Sequence, residues 1–339
     1  TGKTSNGFYT CDRMELSVSG LGTHTIIQEA LTSGAAFNAG FANAWRIDTT
    51  TADSSPGSGD ELLLQYPVEG QDLQVFKKGT ASAEKWTLAF WVKCSNTGTG
   101  QVNLSDMDNT RQCSATYTIS SADTWEHKIL NFAADTTGSF GDDNGESLRI
   151  EWWLDSGSNY EGGAAPTAWE ATANGDRNAS GNLNIGSATT KDWAITGIQL
   201  EVGEFNTDSL PPFQHESYQE NYERCLRYYY KLIPSTGFRY AGWGQVDNDD
   251  EVILGITWFK THMRAAPSAL EQSGTASHYK VREATTVTCD AVPTFTNADT
   301  WYAATSFKKD GITSSNGFAQ GEPLKVGIDG GYLAWSAEL

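Results

Sequence analysis

Cationic side chains are scarce in this sequence: 23 Lys and Arg stand against 42 Asp and Glu in 339 residues, for a formal net charge of -19. A phosphate backbone or an anionic lipid surface is repelled by such a chain, which excludes nucleic acid as a partner and argues against membrane insertion. Long hydrophobic runs are also missing. No stretch reaches the ~18 consecutive apolar residues of a transmembrane helix, and Thr1–Thr10 lacks the basic-then-apolar order of a signal peptide, so a soluble chain is expected. The five cysteines, Cys11, Cys94, Cys113, Cys225 and Cys289, are odd in number, widely spaced and never arranged as Cys-x-x-Cys. That pattern signals neither a disulfide scaffold nor a zinc site, and it predicts free, mostly buried thiols in a protein assembled in a reducing cytoplasm. Only five histidines occur, at His24, His127, His215, His262 and His278, none in metal-ligating spacing. A Gly-x-Ser-x-Gly elbow, a phosphate loop and a dinucleotide fingerprint are absent as well. The residues therefore make no positive case for an enzyme.

What is present in quantity is Gly (34 residues) and aromatic side chains (12%), with Ser/Thr/Asn/Gly clusters between short apolar runs. This is the composition of an all-β protein rich in turns. Met14, Leu16 and Val18 alternate with Arg13, Glu15 and Ser17, the period of a half-buried strand. Similar runs follow at 44–49, 62–66, 86–94, 101–105, 114–119, 125–132, 148–154 and 193–202, and antiparallel strands of this kind bury their apolar faces as a two-sheet sandwich. The segment Leu210-Pro211-Pro212-Phe213 fits neither a helix interior nor a central strand. The expected organisation is a β-sandwich over residues 1–205, a linker over 206–224, and a smaller C-terminal β-sandwich over 225–339. In the last, strands are expected at 252–259, 277–282, 286–289, 301–307 and 331–337. Residues 216–226 have helical character, but the aromatic run Cys225–Lys231 reads as a strand.

The candidate ligand-binding residues centre on one strand. Between Leu148 and Leu154, Ile150 and Trp152 point to one face while Arg149, Glu151 and Trp153 point to the other. Trp152 is then a core residue, and Trp153 lies on the outer sheet face beside a charged pair able to bond hydroxyl groups. Tyr160 and Trp169 follow in a Gly/Ala/Pro-rich loop as further exposed aromatics, and flat apolar rings stack on the C–H faces of sugars. Glu151 and Asp155 are the nominees for a carboxylate pair of the kind glycoside hydrolysis requires. Three acidic clusters are candidate Ca²⁺ loops: Asp106 to Asn109, then Asp142, Asp143 and Asn144 with Glu146, and Asp247 to Glu251. None has the spacing of a calcium-binding helix–loop–helix.

Many short motifs follow one another in a distinctive order: Phe8-Tyr9-Thr10-Cys11-Asp12-Arg13-Met14, Thr50-Thr51-Ala52-Asp53, Glu69-Gly70-Gln71-Asp72-Leu73 and Leu88-Ala89-Phe90-Trp91-Val92-Lys93. Gly157-Ser158-Asn159-Tyr160, Ile195-Thr196-Gly197-Ile198-Gln199-Leu200-Glu201 and Cys225-Leu226-Arg227-Tyr228-Tyr229 continue the series. Over roughly residues 8–230 this order resembles a domain of tailed-bacteriophage tail fibres and other virion appendages. The resemblance implies a jelly-roll related to carbohydrate-binding modules, in a homotrimeric virion protein that contacts other virion proteins and host-surface polysaccharide without catalysis. It implies location in the virion after assembly in the host cytoplasm. The alternatives it leaves open are a purely structural capsid or neck decoration and, less favoured, a polysaccharide depolymerase.

Overall fold

Trp86, Leu88, Phe90, Val92 and Cys94 occupy alternate positions of one strand and are all buried in a single core, so the period-2 pattern of the sequence is realised directly. The computed structural model describes residues 2–11, 13–233, 237–248, 251–282, 285–316, 318–321 and 323–339, with 251–254 described by backbone alone. The chain divides into two units, Thr1–Gln214 and His215–Glu338. Both are built from antiparallel sheets. Among the described residues no helix is long and apolar enough to cross a membrane.

In the first unit a seven-stranded sheet runs β1 (Gly7–Phe8), β2 (Glu15–Ser19), β5 (Glu61–Glu69), β10 (Glu146–Ser156), β7 (Gly98–Asp106), β8 (Arg111–Ile119), β11 (Glu170–Ala171). A five-stranded sheet runs β3 (Thr23–Ala30), β4 (Asn43–Thr51), β12 (Asp192–Val202), β6 (Trp86–Cys94), β9 (Glu126–Phe132). The two sheets form a jelly-roll β-sandwich. Leu16, Leu64, Leu104, Ile150 and Trp152 from the first sheet meet Ile47, Leu88, Phe90 and Trp193 from the second. Each large side chain so buried contributes about 1.5–3 kcal/mol. Phe90 packs edge-on against both Tyr117 and Trp152.

One end of this core is closed by a buried cation. The ammonium of Lys78 donates to Asp106 Oδ2 at 2.5 Å and to the carbonyls of Thr137 (3.1 Å) and Gly138 (2.7 Å), and it lies 3.1 Å from Asp135 Oδ2. It also sits 5.0 Å from the ring of Phe140 and 4.8 Å from that of Trp169. Arg111 grips Asp135 with two bonds of 2.8 and 3.1 Å. Burial by itself raises the Asp135 pKa, but the bonds from Arg111, Thr137 N and Lys78 outweigh it and hold the carboxyl below its ordinary range. The charges here are paired and hydrogen-bonded, as their burial requires.

The second unit is also a β-sandwich. Its large sheet runs β18 (Thr286–Thr288), β17 (Tyr279–Arg282), β21 (Pro323–Ile328), β14 (Arg239–Val246), β15 (Glu251–Trp258), β20 (Tyr302–Lys308), β19 (Thr294–Asp299). The small one runs β13 (Tyr229–Leu232), β22 (Leu333–Ser336), β16 (Glu271–Gln272). Tyr279, Val281, Phe307, Leu324 and Val326 share a core with Tyr230, Leu333 and Trp335. A short helix α1 (Ala35–Asn38) lies in the first unit, and α2 (Tyr218–Leu226) occupies part of the stretch expected to be linker. The Ser217 hydroxyl accepts from Glu220 N and Glu220 Oε2 accepts from Ser217 N, a reciprocal cap that starts α2 and carries helix through Cys225 and Leu226, where a strand was expected.

Candidate functional site

β10 lies between β5 and β7 at the middle of its sheet, with Arg149 opposite Pro67 and Ser105, Glu151 opposite Gln65 and Asn103, and Trp153 opposite Leu63 and Gln101. Because partners in register share a face, the outer side of this sheet is a field of amides and hydroxyls. Most of that field is covered. Gln101 Nε2 donates to Asp176 O (2.6 Å), Asn103 Nδ2 to Arg177 O (2.8 Å), and Ser114 N to Pro166 O (2.6 Å), so the segment between β10 and β12 is laid across the face and held there by its carbonyls. Arg111 Nη2 adds a bond to Trp169 O (3.1 Å).

Beside this cover, toward β5, a polar cleft of about 320 Å³ remains open. Gln65, Ser105, Glu151 and Trp153 lie low in it, and Tyr160, Arg177, Arg149, Glu61, Asn174 and Met107 stand around them. Arg177 Nη1 bonds Glu151 Oε2 at 2.9 Å, and Trp153 Nε1 donates to the same oxygen at 3.1 Å. Arg149 makes two bonds of 2.7 Å to Glu146. Both cleft arginines are thus matched by carboxylates. Two polar groups are not satisfied: Ser105 Oγ, on a residue only 3% exposed, and Arg177 Nε have no hydrogen-bond partner among the described residues. Buried polar atoms ordinarily have partners; these two are closed to solvent in the free protein, so a ligand's groups reach them only when the side chains over them shift. Burial and the neighbouring Glu61 raise the Tyr160 pKa, which keeps its hydroxyl protonated.

The structure brings Arg149, Glu151, Trp153 and Tyr160 together and separates Trp169 from them. Trp169 is 9% exposed, lies 5.9 Å from Trp86 in the core, and donates from Nε1 to Ala133 O at 2.8 Å. The expectation of an exposed ring is corrected here: pairing of β11 with the edge of β8 turns this part of the loop back into the sandwich. Trp153 lies on the outer face as expected but is no open platform, since it is 1% exposed with the Tyr160 ring centred 5.0 Å away. Tyr160 is the partly exposed ring.

Asp155 also departs from expectation. A register shift between Trp153 and Asp155 takes its carboxylate out of the cleft lining, and it is fully buried, accepting from Gly186 N and Ser156 N at 2.8 Å. Burial pushes its pKa up to about 6, against 3.8 for a free aspartate. Between those values the folded state holds the proton that the unfolded state has released, so this group favours folding below pH 3.8 and loses that contribution as pH rises through 6. The Asp155→Asn variant loses one of the two acceptor oxygens at every pH but has no carboxyl to titrate, so relative to it the parent is expected to lose up to about 3 kcal/mol of stability between pH 4 and pH 7. Urea titrations of both proteins at pH 4 and pH 7 check this; an equal difference at the two pH values refutes it.

The acidic loops have other partners. Asp143 Oδ1 accepts from Gly145 N, Glu146 is bound to Arg149, and Asp106 to Lys78. No group of three His, Cys, Asp or Glu able to hold a metal ion occurs among the described residues, which leaves the loop of Asp142, Asp143, Asn144 and Glu146 without an assembled Ca²⁺ site. Asp249 and Asp250 of the third cluster lie outside the described residues. Cys94, Cys113 and Cys289 are buried free thiols, and burial pushes Cys94 and Cys113 up to about 11 and Cys289 to about 12, so these three stay protonated at neutral pH. Sequence reasoning missed Gln65, Ser105 and Arg177. The available signal was the run Gln101-x-Asn103-x-Ser105, which places amides and a hydroxyl on alternate positions of a strand whose other face is core.

No protein-family model matches the chain, and no curated protein matches it. Among solved structures it is similar to the enzymatically active domain of bacteriophage CBA120 tailspike protein 4, at 11% identity and TM-score 0.30, over 56% of this chain and 19% of that one. The chain thus spans about a fifth of the tailspike structure. It is also similar to a carbohydrate-binding module in complex with β-1,4-galactotriose, at 10% identity and TM-score 0.28, over 58% of this chain and 94% of that one. A third similar structure is the family 11 carbohydrate-binding module of the Clostridium thermocellum cellulase Lic26A-Cel5E, at 10% identity and TM-score 0.28, over 60% and 95% of the two chains.

Proposed function

We propose that the cleft of the first unit binds a neutral glycan, in a bacteriophage virion appendage that attaches to host-surface polysaccharide without catalysis. The observation that carries the reading is the open polar cleft lined by Gln65, Glu151, Arg177 and Tyr160, with the unpartnered Ser105 Oγ just beneath its lining, where a change of side-chain rotamer turns it to a ligand. Around it Glu151 and Gln65 offer acceptors and donors for hydroxyl groups, and Tyr160 offers a ring edge. The two arginines are already neutralised, so an anionic sugar gains no free cation there, and the acidic chain as a whole repels it. The order of motifs along residues 8–230 supports the virion assignment, with assembly in the host cytoplasm and self-association as a homotrimer. In such an assembly several weak sites act together, because the first contact raises the effective concentration of the next.

Ser105→Ala tests this sharply, because it removes a hydroxyl that bonds nothing in the free protein. Its melting temperature is expected to match that of the parent, while retention on neutral host polysaccharide in affinity electrophoresis weakens about tenfold, the worth of one good hydrogen bond. Tyr160→Ala is expected to weaken retention similarly. Unchanged retention in both variants removes the cleft as the site, and no retention of the parent by any host polysaccharide favours a structural decoration.

A further inference from the structure

The large sheet of the second unit presents an exposed face that is aromatic and locally basic. Trp243 on β14 is in register with Ile256 on β15 and with Lys325 on β21, and Trp258, two positions beyond Ile256, is in register with Tyr302 on β20. Direct partners and alternate positions share a face, so these residues form one surface while Leu324 and Val326 supply the core from the other side. Trp243 is 63% exposed, Trp258 56%, Tyr240 53% and Trp301 44%. At about 200 Å² per ring this amounts to roughly 400 Å² of aromatic surface, a patch size that on a soluble protein usually marks a binding site.

The rings fall into two groups. Trp258 has its centroid 4.9 Å from Trp301 and 5.8 Å from Tyr302. In the other group the Lys325 ammonium lies 5.2 Å from the ring of Tyr240 and 5.3 Å from that of Trp243. Trp243 and Trp258 are diagonal cross-strand neighbours, about 7–8 Å apart at the backbone, a spacing that linked sugar rings can bridge.

Charge decides which ligand. Lys280 on this face is paired with Asp329 at 2.6 Å. Lys325 and Arg282, which lie opposite each other on β21 and β17, have no carboxylate partner among the described residues. Among the described residues, these two unmatched cations give a face with exposed rings a local positive charge on an otherwise acidic protein. We propose that this face is a second polysaccharide site, selective for an acidic, uronate-bearing polymer. The pyranose faces stack on Trp243 and Trp258, and the carboxylates meet Lys325 and Arg282.

The test uses the full chain with polygalacturonate and with the same polymer fully methyl-esterified, read by tryptophan fluorescence and affinity electrophoresis. Polygalacturonate is expected to bind and the ester to bind at least tenfold more weakly. Trp258→Ala, an exposed position whose melting curve should be unchanged, is expected to weaken binding about tenfold. Lys325→Gln is expected to erase the preference for the free acid, and Ser105→Ala to leave it intact, which separates this site from the cleft. Equal binding of the two polymers, or unchanged affinity in both variants, overturns the proposal. So does concentration-dependent self-association that Trp258→Ala abolishes in a protein that binds neither polymer, an outcome that assigns the face to a second copy of the chain.

Discussion

Lys78→Met is expected to destabilise the first unit by about 3–5 kcal/mol, the cost of removing one partner from a buried, hydrogen-bonded charge cluster. The methionine matches the stem of the lysine and fills the space, so a cavity contributes little. What is lost is the positive charge between Asp106 and Asp135 and the donors to Thr137 O and Gly138 O. Asp135 retains Arg111, but Asp106 is left with bonds only from Asn109 and neighbouring backbone amides. At about 2–4 °C per kcal/mol for a unit of this size, the calorimetric transition should fall by roughly 6–20 °C. Lys77→Met next door is the control: its exposed pair with Glu84 is worth less than about 1 kcal/mol. Comparable losses in the two variants count against the buried cluster as a structural centre.

Trp169→Ala is the second large effect, also about 3–5 kcal/mol, as expected for truncating a core tryptophan. The ring packs on Trp86, covers the Lys78 ammonium, and satisfies its own N–H on Ala133 O. The variant therefore opens a cavity, exposes a buried cation and leaves a carbonyl without its donor. Polysaccharide retention, measured well below the lowered melting temperature, is expected to stay near that of the parent, the reverse of the outcome for Tyr160→Ala. A stable Trp169→Ala protein with lost retention sinks the core assignment.

The contrast between these two aromatics shows where the sequence was readable. Alternation placed Trp152 in the core and Trp153 on the outer face, and strand β6 was found with its observed ends, Trp86–Cys94, because one side of each strand is uniformly apolar. In the Gly/Ala/Pro-rich loop no period exists, so nothing local showed that Tyr160 remains partly exposed while Trp169 turns inward. β3 was missed because adjacent Ile26 and Ile27, followed by Gln28 and Glu29, break the alternation of an edge strand. β14 was missed because Gly242 and Gly244 look like turn residues. A side chain at Gly242 would place its Cβ 2.5 Å from Ile256 O, so that glycine permits close strand packing rather than a turn. The Ser217–Glu220 cap of α2 was legible as Ser-x-x-Glu and was outweighed by the aromatic run that follows. Ser105 could be placed on a strand, but its lack of a partner depends on residues that meet it only in three dimensions.

The sheet grips the segment that walls the cleft by its main chain: the acceptors are the carbonyls of Pro166, Trp169, Asp176 and Arg177. A framework that holds a peptide by its backbone is indifferent to most of the side chains on it. Residues such as Tyr160, Thr172 and Asn174 line the cleft and can be exchanged without disturbing those bonds. The recognition surface is in this sense interchangeable, and new sugar preferences are accessible by changing a few wall residues while the sandwich beneath stays the same.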